Sequence, residues 1–152
     1  MFEELFSTTS EGTTAPQGLE EASMTTEETT IDLHNQELTK VPMTIFDKTG
    51  TVILNLSGNN INGALPAEVR RLQKLQVLDL SNNNFTGVPA EVGQLQKLEI
   101  LNLSGNPITG LPIEIANLKN LKILDLRDTE YSEYDLDLIT QNLSESVEIL
   151  VK

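Results

Sequence analysis

One stretch constrains this chain more than any other: LQVLDLSNNNFTGVPAEVGQLQK, Leu75 to Lys97, is followed at once by LEILNLSGNPITGLPIEIANLKN, Leu98 to Asn120. Set one above the other, the two lines share nearly every apolar position. Leu75, Leu78, Leu80, Asn83, Phe85, Val88, Pro89, Val92 and Leu95 fall on Leu98, Leu101, Leu103, Asn106, Ile108, Leu111, Pro112, Ile115 and Leu118. Self-similarity at a fixed period in this size range is the mark of stacked-repeat architecture. A unit this short cannot bury its apolar stripe alone, so its neighbours must stack on it to make a continuous core.

Each unit has its own physical logic. The Leu78-x-Leu80 alternation is the period-two signal of a short strand with one buried face. Asn83 follows where the chain must turn, and its amide can bond backbone groups that the turn leaves unpaired. Stacking aligns such asparagines into a ladder. Pro89 and Pro112 open a short helical or irregular return segment, with apolar Val92 and Leu95 three apart.

Further copies lie on both sides. Thr51, Leu54, Leu56, Asn59, Ile61, Leu65, Pro66, Val69 and Leu72 form the preceding unit, which has one extra residue in NGALP. Glu28, Ile31, Leu33, Gln36, Leu38, Val41, Pro42 and Ile45 form a degenerate first unit. Leu121, Leu124, Leu126, Thr129 and Tyr131 open a fifth unit that then leaves the pattern. Val147 and Ile149 lie 23 residues beyond Leu124 and Leu126, so VEILVK is expected as a closing sixth strand. In the stretch between, Ser132 and Asp135 read as a helix start, and Tyr134, Leu138 and Ile139 as its apolar face. Gln36 and Thr129 replace the ladder asparagine in end units, where a stack must be capped.

The wording L-x-x-L-x-L-x-x-N-x-L, then x-x-L-P-x-x-I-x-x-L, closely resembles the leucine-rich repeat family in its 23-residue Leu-Pro subclass. The resemblance implies an α/β fold: a right-handed solenoid with a parallel concave sheet and short helical or irregular convex segments. It also implies a non-enzymatic module that binds a protein or peptide on the concave face, in a bacterial protein. Many secreted members close their ends with disulfides; this chain has no cysteine, hence neither disulfides nor thiol chemistry.

Residues 28–152 are read as the repeat domain, with units starting near 28, 51, 75, 98 and 121 and a C-terminal cap over 132–152. Residues 1–27 are read as a disordered acidic tether. The first thirty residues hold seven glutamates, eight threonines and no basic residue, a composition that cannot repay its ordering entropy. MFEELF at the start fits a frayed terminus, an anchor remnant or a partner-binding helix. An acidic, threonine-rich spacer before a repeat array is similar to those of bacterial surface proteins. An extracytoplasmic, cell-surface location is therefore favoured over a cytoplasmic one. No secretory leader is readable, which is equally expected of a chain whose leader has been removed.

Four columns run across the strands. Thr30, Ile53, Val77, Ile100 and Ile123 give an aliphatic stripe, and Asp32, Asn55, Asp79, Asn102 and Asp125 alternate acid and amide beside it. His34, Ser57, Ser81, Ser104 and Arg127 come next, then Asn35, Gly58, Asn82, Gly105 and Asp128. The expected ligand surface is Ile53, Asn55, Ser57, Val77, Asp79, Ser81, Ile100, Asn102, Ser104, Ile123, Asp125 and Arg127. LDLS and LNLS are also ordinary family wording, so a generic face stays open beside a tuned one.

The formal net charge of -13 argues against a nucleic-acid partner, and no run of apolar residues is long enough for a membrane span. Arg70, Arg71, Lys74, Lys97 and Lys119 fall in the return segments or just before the strands, which predicts an acidic concave face and a more basic convex side or edge. The aspartates of the acid–amide column recur every second repeat, about 9.6 Å apart by strand spacing, too far to share one metal ion. His34, the single histidine, has no serine–carboxylate partnership readable from spacing. No phosphate loop or dinucleotide fingerprint occurs. Neither cofactor nor metal is expected. Sequons at Asn55, Asn84, Asn102 and Asn142 follow from the repeat wording. The rival to a binding module is a structural component that assembles through its repeat edges; a monomer is expected, with the VEILVK edge as a place for self-association.

Overall fold

The computed structural model describes residues 28–152; the tether and MFEELF readings lie outside that range. Six short strands make one parallel sheet: β1 (Thr29–Asp32), β2 (Thr51–Asn55), β4 (Val77–Asp79), β6 (Ile100–Asn102), β7 (Ile123–Asp125) and β8 (Glu148–Leu150). Each pairs only with its sequence-adjacent repeats, in the order β1-β2-β4-β6-β7-β8. Parallel neighbours joined by crossovers wind right-handedly. The chain is therefore a leucine-rich repeat solenoid of α/β class, with the sheet on its concave face. Leu54, Leu78, Leu101 and Leu124 stand in one register row, fully buried, with Leu56, Leu80, Leu103 and Leu126 forming a second buried row.

The return segments owe their form to the proline. Pro42, Pro66, Pro89 and Pro112 each precede a 3-10 helix: Met43–Asp47, Ala67–Arg71, Ala90–Gln94 and Ile113–Asn117. Their φ values of -68, -65, -81 and -71 are what the pyrrolidine ring imposes. In the second unit, Val69 N–H donates to the Pro66 carbonyl, Leu72 to Val69 and Leu75 to Leu72, at 3.0 to 3.1 Å. Three residues per turn bring every third side chain to one face. Val69, Leu72 and Leu75 are accordingly all buried. The first unit departs from this pattern: Lys48 stands where Leu72 would, and Phe46 fills the core beside it, fully buried. The leucine-based reading passes over Phe46.

A second, two-stranded parallel sheet was not expected from the repeat wording. It pairs β3 (Asn62–Ala64) with β5 (Asn84–Gly87) on the flank of the turn. Its register shifts between Gly63 and Ala64, where NGALP carries the extra residue. Gly63 adopts a φ of 84 there, in space that a side chain would not crowd.

The C-terminal cap corrects two expectations. β8 does pair with β7, but Leu124 lies opposite Ile149 and Asp125 opposite Leu150, two residues later than a 23-residue period gives. The helix α1 (Glu133–Thr140) replaces a 3-10 return and takes up the difference. A two-residue slip keeps the same faces inward, so the core tolerates it. Ser132 caps α1 as expected, its hydroxyl accepting from Asp135 N–H at 3.1 Å. The packed face is Leu136, Ile139 and Leu143, however, and Tyr134 is 71% exposed. Those three are spaced three and four apart and meet the core, which leaves Tyr134 and Leu138 on an adjoining face. Asp135 also accepts the Leu111 N–H at 3.0 Å, tying α1 to the fourth unit.

The asparagine ladder closes each turn. Asn83 Oδ1 accepts from Ile61 N–H at 3.0 Å, and its Nδ2 donates to the carbonyls of Leu56, Leu80 and Ser81 at 2.8 to 3.2 Å. Asn59 and Asn106 repeat that geometry, each bonding its own turn and the turn before. Thr129 donates its hydroxyl to Leu126 alone. Asn83→Ala should therefore cost about 3 kcal/mol or more, because buried backbone groups lose partners, and Thr129→Ala about 1 kcal/mol. Urea titrations of the two variants check the difference; equal costs would show that the ladder does not bear the turns.

Candidate functional site

The strand columns fall into register rows across the concave face. Thr30, Ile53, Val77, Ile100, Ile123 and Glu148 are successive partners, as are Asp32, Asn55, Asp79, Asn102, Asp125 and Leu150. The aliphatic row is uneven. Ile53, Ile100 and Ile123 are half-buried, whereas Val77 at the centre keeps only 6% exposure.

The acid–amide row has a structural job that sequence reasoning missed. Oδ1 of Asn55, Asp79 and Asn102 accepts both the backbone N–H and the hydroxyl of the serine two residues on. Those bonds are 3.0 and 2.7 Å for Ser57, 3.0 and 2.7 Å for Ser81, and 3.1 and 2.7 Å for Ser104. This is an Asx turn repeated down the stack. The D-L-S and N-L-S triplets are its signal in the sequence. Asn55, Asp79 and Asn102 are each 4% exposed, and Asp125 is wholly buried. Asn55 and Asn102 are thus closed-in sequons, while Asn84 and Asn142 are exposed.

At the ends of the row the serine gives way to a basic residue. Arg127 donates Nε to Asp125 Oδ1 at 2.9 Å and a second nitrogen to Oδ2 at 2.6 Å. These bonds raise the Arg127 pKa further. His34 Nδ1 lies 2.6 Å from Asp32 Oδ1 at the exposed first turn. Among the described residues no cluster of acids and histidine could hold a metal ion.

The next column turns the chain through the left-handed region. Asn35, Gly58, Asn82, Gly105 and Asp128 have φ of 54, 71, 58, 70 and 57. Asparagine and glycine alternate here for a steric reason. A Cβ on Gly58 would overlap the Asn35 side-chain oxygen, and one on Gly105 that of Asn82.

Some surface charge is paired: Arg71 and Asp47 of neighbouring return helices meet at 3.1 Å, and Lys122 and Glu99, just before β7 and β6, at 3.3 Å. A cleft of about 410 Å³ lies away from the concave face, between the last 3-10 helix and α1, lined by Ile113, Ala116, Lys119, Leu138 and Asn142 among others.

Burial raises the Asp79 pKa above its ordinary 3.8; the Ser81 bonds oppose this and Asp125 and Asp32 add to it. The unfolded chain therefore ionises first, and native stability falls as pH rises from about the ordinary carboxylate range through the folded value. Asp79→Asn keeps the Oδ1 acceptor, as Asn55 and Asn102 show, and removes the charge. It should raise the melting temperature at pH 7 and give no gain below the ordinary carboxylate pKa. Melting curves across pH check both; a lowered melting temperature at pH 7 would show that the carboxylate stabilises the turn.

The leucine rich repeat family model matches residues 29–85 and 73–130. No curated protein matches the chain. Among solved structures, a leucine-rich repeat protein of Leptospira interrogans is 39% identical, covering 78% of this chain and 30% of its own, with a TM-score of 0.72. Internalin C2 of Listeria monocytogenes is 26% identical over 81% of this chain and 51% of its own, TM-score 0.70. The ectodomain of the Arabidopsis thaliana receptor kinase GASSHO1/SCHENGEN3, in complex with Casparian strip integrity factor 2, is 32% identical over 74% of this chain and 13% of its own, TM-score 0.60. The chain thus spans about a third of the Leptospira protein and half of internalin C2. With the repeat pattern, the solenoid and these matches in agreement, the chain belongs to the leucine-rich repeat family.

Proposed function

We propose that the concave sheet face docks a protein or peptide. The observation that carries this reading is the aliphatic row: Ile53, Ile100 and Ile123 keep part of their surface open on a sheet whose leucines Leu54, Leu78, Leu101 and Leu124 are fully buried. Such a row, rimmed by Ser57, Ser104 and Arg127, offers apolar area with polar groups at its border, the composition of a binding patch. Val77, Asn55, Asp79, Asn102, Ser81 and Asp125 lie beneath and between, largely enclosed. Solenoid curvature creates extended surfaces of this kind. The GASSHO1/SCHENGEN3 complex supports a role in binding, as a likeness and no more. Internalin C2 and the receptor ectodomain likewise support a cell-surface location, which fractionation of source cells checks. No helix among the described residues is long and apolar enough to cross a membrane.

A second reading has its own observation. Among the described residues the sheet ends on two edge strands, β1 and β8, where Ile31, Leu33, Ile149 and Leu150 are only half-buried. Edges of that kind invite strand pairing between copies. Mass measured in solution over a range of concentrations decides: an assembly component grows with concentration, and a binding module stays monomeric.

The concave face is tested by replacing Ile100 and Ile123 with glutamine, which removes apolar surface and leaves charge and the leucine core alone. Wild type and the double variant, matched by melting curve, are used to capture partners from lysate and culture supernatant of the source organism. The expected result is a partner held by wild type and lost by the variant. Equal capture by both would overturn the concave-face reading.

A further inference from the structure

Three carboxylates stand in the acid–amide row, and their surroundings differ. Asp125 has both oxygens held by Arg127. Asp32, at the exposed end, has His34 at 2.6 Å. Asp79 has neither. The residue two positions on is Ser81, whose N–H and hydroxyl both engage Oδ1, and among the described residues no hydrogen bond or ion pair reaches Oδ2. Its row neighbours Asn55 and Asn102 are neutral; Arg70 and Arg71 lie in a 3-10 return helix, and Lys74, Lys97 and Lys119 in the turns that precede the strands. Only 4% of Asp79 is exposed.

A buried charge without a partner is costly. The turn does not require it, because Asn55 and Asn102 close the same turn with an amide oxygen at the same distances. The carboxylate is therefore surplus to the fold, and its surplus is one oxygen and a negative charge at the centre of the sheet. Beside it runs the aliphatic row, where the half-buried Ile53 and Ile100 stand on the two neighbouring strands, either side of Val77. A group that fits is a charged tip on an apolar stem, which is how lysine and arginine side chains present themselves.

We infer that Asp79 receives a cationic side chain of the docked partner, with Ile53 and Ile100 covering its aliphatic stem, so that the partner is a protein or peptide presenting a lysine or arginine flanked by apolar residues. The inference rests on the concave-face reading above. One free oxygen favours a single charge-assisted hydrogen bond, from an ammonium or from one arm of a guanidinium.

The test titrates the 15N-labelled full chain with a capped leucine-lysine-leucine tripeptide and with its leucine-glutamine-leucine counterpart, following the amides of Asp79 and Ser81. Saturable shifts are expected with the lysine peptide. Binding should be weaker by about tenfold or more with the glutamine peptide, and equally so for Asp79→Asn, the scale of one charge-assisted bond. Equal affinity for both peptides, unchanged affinity in Asp79→Asn, or no saturable shift with the lysine peptide would each overturn the inference. The capture experiment separates this failure from that of the broader reading. A partner lost by the isoleucine double variant and kept by Asp79→Asn overturns the cation site alone; a partner kept by the double variant overturns both.

Discussion

The asparagine turns of this solenoid depend on bonds made across the repeat boundary. Asn83 satisfies backbone groups of its own turn and of the one before, and Asn59 and Asn106 do the same. A turn taken alone would leave those groups unpaired away from water, which costs more than the bonds themselves return. The apolar core obeys the same rule, because a strand three residues long has too little surface to fold by itself. Stability is in this sense a property of the boundary between units rather than of any unit. The concave rows inherit their register from that dependence, since each strand is fixed by its neighbour.

Much of this was legible because the repeat compares the chain with itself. Leucines, ladder asparagines and prolines recur at fixed spacing, and their burial and register follow directly. What the spacing could not carry is set by size and neighbourhood. Phe46 fills a core place two positions before Lys48, where the other units hold leucine, and no spacing rule points to it. The second sheet rests on backbone pairing of Asn62–Ala64, a segment with scarcely a side chain to signal it. The slip at β8 comes from the length of α1, which a period carried forward cannot include.

The concave columns show a subtler limit. Alternation along a strand tells which side chains share a face, and the rows are in register. It does not tell how open that face is. Strands about 4.8 Å apart enclose small side chains between large ones. Val77 is more enclosed than the isoleucines that flank it for this reason. Nor does alternation show that Asn55, Asp79 and Asn102 spend an oxygen on their own turns. That bond separates the part of the row the fold uses from the part left over.

The alternation of asparagine and glycine in the left-handed turns has a consequence for how such an array changes length. Gly58 and Gly105 sit where a side chain would strike the preceding asparagine, so a unit that follows an asparagine unit is held to glycine at this place. Removing a single unit from the middle would set asparagine upon asparagine or glycine upon glycine. Only the first of these brings a Cβ against the asparagine oxygen, and a change by the pair, the 47 residues that separate Gly58 from Gly105, avoids it wherever it falls. Parity, as well as period, is written into the array.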